Sequence, residues 1–125
     1  MLYIRTGNDQ TGFAPGDTVR GVYGWDCAQA PGRAMLTLLW RTEGRGTSDM
    51  GIVSGIEAQH PSAIYEAPFE LTLPNGPYSF SGKLITLHWA IELLLDNGED
   101  LHRLDVLVSP WETEVRLPQE VEELG

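Results

Sequence analysis

A second cysteine is missing. Cys27 stands alone among 125 residues, which excludes an internal disulfide framework. No Asn-x-Ser/Thr acceptor occurs either, and both absences fit a reducing compartment. Cations are scarce: eight Lys plus Arg face eighteen Asp plus Glu, for a formal charge of −10. The eight are scattered singly, whereas affinity for a phosphate backbone comes from clustered Lys and Arg displacing counterions; nucleic acid and anionic membrane surfaces are therefore excluded as partners. No apolar run approaches the roughly 20 residues of a membrane-spanning helix, and Met1–Thr6 lacks the apolar core of a signal peptide. The reading is a soluble, cytoplasmic protein.

The arrangements that carry chemistry are also absent. His60, His88 and His102 are the only histidines, and none lies at zinc-ligand spacing from Cys27 or from another histidine. Gly51-Ile52-Val53-Ser54-Gly55 misses the Gly-x-Ser-x-Gly spacing of a hydrolase elbow. Gly44-Arg45-Gly46 is too short to cradle phosphate. Asp96-Asn97-Gly98-Glu99-Asp100 lacks the alternating acids of a calcium loop. Cys27 has the acidic Asp26 beside it, which disfavours a thiolate by like charge, and it reads as an inert thiol. The expectation is no catalytic residue, no metal and no cofactor.

What is present is strand pattern. Between Lys83 and Asp96, apolar residues occupy every odd position (Ile85, Leu87, Trp89, Ile91, Leu93, Leu95), while Thr86, His88 and Glu92 fall on the even set, as when one sheet face is buried. Asp96-Asn97-Gly98-Glu99 offers the positive φ of a tight hairpin, so Leu101–Val108 should return as an antiparallel neighbour. Fourteen residues extend about 45 Å at about 3.3 Å each, so this strand should bend or pass from one sheet to the other.

Earlier in the chain, Leu2–Arg5 reads as a short strand at a sheet edge and Thr6–Gly16 as a loop ending in a Pro15-Gly16 turn. Thr18–Tyr23 is a strand whose Gly21 and Gly24 suggest a bulge or a facing aromatic close to the backbone. Trp25–Arg33 reads as a loop. Ala34–Glu43 is a strand with Ala34, Leu36, Leu38 and Trp40 towards the core. Ser48–Ala58 is a weaker strand. Ala63–Leu73 is another, in which Pro68 marks an edge position or a break. Glu112–Leu117 alternates weakly as a last strand, and 118–125 is an acidic tail. Seven or eight strands without a long helix make one all-β domain over 1–125, an antiparallel two-sheet sandwich of immunoglobulin-like type.

Three stretches together resemble the arrestin-like superfamily of β-sandwiches, which includes arrestin-domain proteins and bacterial sporulation-control relatives. They are Phe13-Ala14-Pro15-Gly16-Asp17-Thr18-Val19-Arg20-Gly21, then Phe69-Glu70-Leu71-Thr72-Leu73-Pro74, then Pro77-Tyr78-Ser79-Phe80-Ser81-Gly82 running into the long strand with His88-Trp89-Ala90-Ile91. The resemblance covers Phe13 to Asp96. It implies a fold used for protein–protein adaptor work without catalysis. Full arrestins pair two such sandwiches and sense phosphate through basic groups; this chain has the pattern of one sandwich and no cationic cluster, so those roles do not carry over.

The expected function is a non-enzymatic interaction module that binds an unknown protein partner, or itself, through a loop end or an exposed edge. Edge-strand dimerisation is expected at Leu2–Arg5 or Glu112–Leu117. The alternative is a small-ligand or carbohydrate-binding sandwich, which needs exposed coplanar aromatics. Trp25, Tyr78 and Trp111 are the candidate partner-binding residues, because they fall near strand or loop ends where a ring can stack or anchor. Trp40 and Trp89 are expected in the core.

Overall fold

The computed structural model describes residues 1–44, 48–81, 85–96, 100–109 and 115–116. The strands are β1 (Leu2–Thr6), β2 (Gly12–Phe13), β3 (Thr18–Asp26), β4 (Ala34–Gly44), β5 (Met50–Glu57), β6 (Ile64–Thr72), β7 (Phe80–Ser81), β8 (Ile85–Leu95), β9 (Leu101–Val108) and β10 (Val115–Arg116). Three of these are two-residue bridges; the other seven match the expected strand count. They form two layers. A three-stranded antiparallel sheet runs β1-β3-β6, and a larger sheet runs β5-β4-β8 before dividing. The all-β sandwich expected from the alternation is the observed fold.

The division lies along one edge of β8. β4 pairs with β8 along its whole length, from Ala34 opposite Leu95 to Gly44 opposite Ile85. On the other side β7 takes Thr86 and Leu87, and β9 takes Trp89 to Leu94. β8 therefore stays in one sheet and changes neighbours; of the two alternatives expected for it, passing from one sheet to the other is corrected. The cause is β4: it is equally long, so β8 has a full-length partner and no reason to leave it. The antiparallel return into β9 is as expected; the Asn97-Gly98 turn lies outside the described residues, as do Arg45-Gly46, Trp111 and 118–125.

The alternation decides the core. Leu87, Trp89, Ile91, Leu93 and Leu95 are buried from β8 and meet Leu36 and Leu38 of β4, with Val19, Tyr23, Trp25, Phe69 and Leu71 from the facing sheet. Trp89 satisfies its indole N–H on the Pro77 carbonyl at 2.8 Å, so its ring is buried without an orphaned donor. Trp40 shares the core face with its cross-strand partner Trp89 but is only partly buried, its indole lying against Gly51 of β5.

Local chemistry matches the turns. Gly16 has φ of 84° and the Asp17 N–H donates to the Ala14 carbonyl at 3.1 Å, the arrangement a Pro-Gly pair favours. A Cβ at Gly21 would strike the Arg5 backbone, and one at Gly24 would strike the Tyr65 carbonyl and the Tyr3 ring. Gly24 thus opens the path by which the Tyr3 hydroxyl donates to Glu66 Oε1 at 2.6 Å. Within the expected loop after β1, Phe13 is buried and β2 pairs in parallel with β9. Pro68 sits inside a continuous β6 opposite Val22. Of its two readings, the edge position is the one observed.

Candidate functional site

The sequence candidates separate. Trp25 is not in a loop: it belongs to β3, is 1% exposed, stacks on Tyr65 with centroids 4.5 Å apart, and donates its indole N–H to the Ser62 carbonyl at 2.7 Å. Inward alternation along β3 places it there, and the sequence reading ended that strand too early. Tyr78 is 38% exposed in the segment between β6 and β7. Trp111 lies outside the described residues. Among the residues whose side chains are described Tyr78 is the most exposed aromatic, so no pair of well-exposed aromatics forms a stacking platform among them.

Polar chemistry is equally dispersed. Among the described residues no group of three His, Cys, Asp or Glu side chains is placed to hold a metal ion. His88 is exposed on the outer face of β8, with Nε2 at 3.8 Å from Glu43. Cys27 is partly buried, and its backbone N–H donates to the Ala63 carbonyl at 2.8 Å.

The feature that stands out is an edge. β5 pairs with β4 on one side, and no other described strand pairs with it. Its sequence, Met50-Gly51-Ile52-Val53-Ser54-Gly55-Ile56-Glu57, has no charge before its last residue. Met50, Ile52 and Val53 are 61%, 65% and 37% exposed. The register against β4 slips in the middle: Ser54 faces Leu38 and Ile52 faces Leu39, which leaves Val53 as the extra residue of a bulge. The slip changes which side chains share a face. Met50 and Ile52, opposite Arg41 and Leu39, lie on the outer face together with Gly55 and Glu57, opposite Thr37 and Met35. Gly51, Ser54 and Ile56 lie on the inner face.

That outer face is apolar in patches. Leu39 and Ala90 are buried on it beside Ile52, and Leu94 and Leu101 remain 52% and 51% exposed beside Met35. A shallow cavity of about 240 Å³ lies between Met35, Leu94 and Glu57. At its rim the Arg33 guanidinium bonds Glu57 at 2.8 Å, and this carboxylate raises the arginine pKa. Further in, Arg103 and Glu92 pair directly across β8 and β9 at 2.8 Å.

The other edges differ from it: β9 is covered by β2 only at Leu107 and Val108 and carries Arg103 and Asp105 along the rest. β6 carries Pro68 with Glu66 and Glu70 on either side, and β1 has five residues. Proline and charge are the usual means of keeping an edge from pairing. The Ser48–Ala58 strand was legible in the sequence, but its place at the edge was not. The one hint was an apolar, charge-free run weak in core-face alternation.

No family model matches the chain, and no curated protein matches it in sequence. Among solved structures it is similar to Spo0M, a sporulation control protein from Bacillus subtilis, with a TM-score of 0.60 and 19% identity. The match covers 99% of this chain and 55% of that one. The likeness is one of fold: the sandwich is the arrestin-like one implied by the sequence resemblance. No helix among the described residues is long and apolar enough to cross a membrane.

Proposed function

We propose that this chain is a non-enzymatic protein-interaction module, adaptor- or scaffold-like, that works in the cytoplasm by accepting an added strand at β5. One observation carries the reading: β5 has an open side among the described residues and a run free of charge up to Ile56, while the edge of β6 is interrupted by proline and flanked by carboxylates and that of β9 carries Arg103 and Asp105. Unpaired N–H and C=O groups supply affinity to any extended segment, and side chains at alternate positions supply selectivity. The single cysteine supports a reducing compartment. The carbohydrate reading draws no support from Trp25, whose ring is in the core.

The test is affinity capture from the native lysate with the wild-type chain and with Ile52→Lys, run beside a glycan array. Ile52 is 65% exposed, so the substitution spares the core. A protein recovered near one-to-one by the wild type and lost with Ile52→Lys supports the module. Glycan binding without any protein recovered, or capture indifferent to Ile52→Lys, refutes it.

A further inference from the structure

We infer that the strand added to β5 is β5 of a second copy, in one antiparallel register that the bulge selects. The inference rests on the reading of β5 as the interaction edge and names its occupant. When a regular strand pairs with its own copy about a two-fold axis normal to the sheet, opposing residues must share a face. The extra residue at Val53 changes which registers meet that condition. It puts Ile52 on the same face as Gly55, and Gly51 on the same face as Ile56, so each half of the strand matches the other half of the copy.

In this register Ile52 lies opposite Gly55 of the second copy, Ile56 opposite Gly51, and Val53 opposite Ser54. Both isoleucines meet glycines, twice over by symmetry. The exposed Ile52 would fill the space that Gly55 leaves beside Met35, whose Sδ is 3.4 Å from where a Cβ would stand. Charge agrees with the geometry. Met50 lies opposite Glu57 and Asp49 opposite Ala58, so no carboxylate faces another even though each chain carries −10. Pairing β6 with its copy about Pro68 would instead set Glu66 against Glu70 twice. Like charges directly opposite are destabilising, which favours β5 over β6 as the edge on which two such acidic molecules meet.

Eight residue pairs bury less than the about 800 Å² per partner of a standard stable interface, so the dimer is weak and reversible, with a dissociation constant in the micromolar range. The larger sheet continues through it from one sandwich into the other. On this inference the pairing surface is β5 in place of Leu2–Arg5 or Glu112–Leu117, the edges expected from the sequence.

Sedimentation velocity from about 1 to 500 μM tests this with three proteins: wild type, Ile52→Lys and Met50→Lys. Both substituted positions are more than half exposed, and matching melting curves establish that the monomer is intact. Wild type should pass from monomer to dimer across the range. Ile52→Lys should weaken association at least tenfold, because two lysines then crowd against Gly55 and Met35. Met50→Lys should strengthen it about fivefold, since each new lysine faces Glu57 of the other copy, two cross-strand ion pairs per dimer. A strict monomer at every concentration overturns the inference, as does a Met50→Lys protein that dissociates as readily as Ile52→Lys. If the wild type is monomeric yet still captures a different protein that Ile52→Lys loses, the interaction-edge reading stands and self-pairing falls.

Discussion

At the scale of single residues, burial and hydrogen bonding on the inner face of β3 set a titration. Tyr23 is 2% exposed, and burial followed by its hydrogen bond to Tyr65 pushes its pKa from 10.0 up to about 12. The folded chain then holds a proton that the unfolded chain releases above pH 10. The associated stability is fully present below pH 10 and is lost as pH rises towards 12, on the order of 2 kcal/mol in all. Urea denaturation between pH 8 and 12 should show this loss in the wild type. In Tyr23→Phe that part of the decline should vanish, with a cost of about 1 kcal/mol at neutral pH for the missing hydrogen bond. The neighbouring Tyr3 phenol, donating to Glu66, also has its pKa raised, chiefly by that bond.

At the scale of elements, the sequence was legible where alternation and turn chemistry agree. β8, β9, the Pro15-Gly16 turn and the core face of β4 all follow from residue order, because each is a local pattern. The reach of β3 to Asp26 was missed because Trp25 and Asp26 look like loop residues until β6 pairs opposite them, Trp25 with Tyr65 and Asp26 with Ile64. The edge status of β5 was missed for a related reason. Whether a strand is central or terminal depends on partners distant in the chain, and beyond its weak core-face alternation no pattern within Met50–Glu57 records them. Pro68 announced its position in advance, because a residue without an N–H is confined to edges, strand starts or bulges, and the short Leu2–Arg5 run did so as well, β1 lying at the edge of the smaller sheet. Pro68→Thr should keep the melting temperature within a few degrees, since Thr suits a strand, while opening a second edge. After mild heating a larger fraction of that variant should sediment as aggregate than of the wild type.

For the whole molecule, the −10 charge opposes every encounter between copies. Repulsion spread over the surface is long-ranged and screened by salt, whereas the apolar contacts at β5 are not. Raising salt from about 0.1 M to about 1 M shortens the screening length from about 10 Å to about 3 Å. The weight-average mass at a fixed concentration near 100 μM should therefore rise with salt, the opposite of an assembly held by ion pairs.

The division along β8 also sets an order of assembly. β4 with β5, and β8 with β9, are neighbours in sequence and can each close as a local hairpin. Joining β4 to β8 brings Gly44 beside Ile85 and ties together the two ends of a long intervening stretch. The entropy of that closure falls before the central ladder can reward it. The docking of the two hairpins should then limit the rate of folding. Truncating Leu38 or Ile91, which face each other at the seam, should slow refolding in stopped-flow measurements, whereas substitution of the exposed Ile52 should leave folding and unfolding rates nearly unchanged.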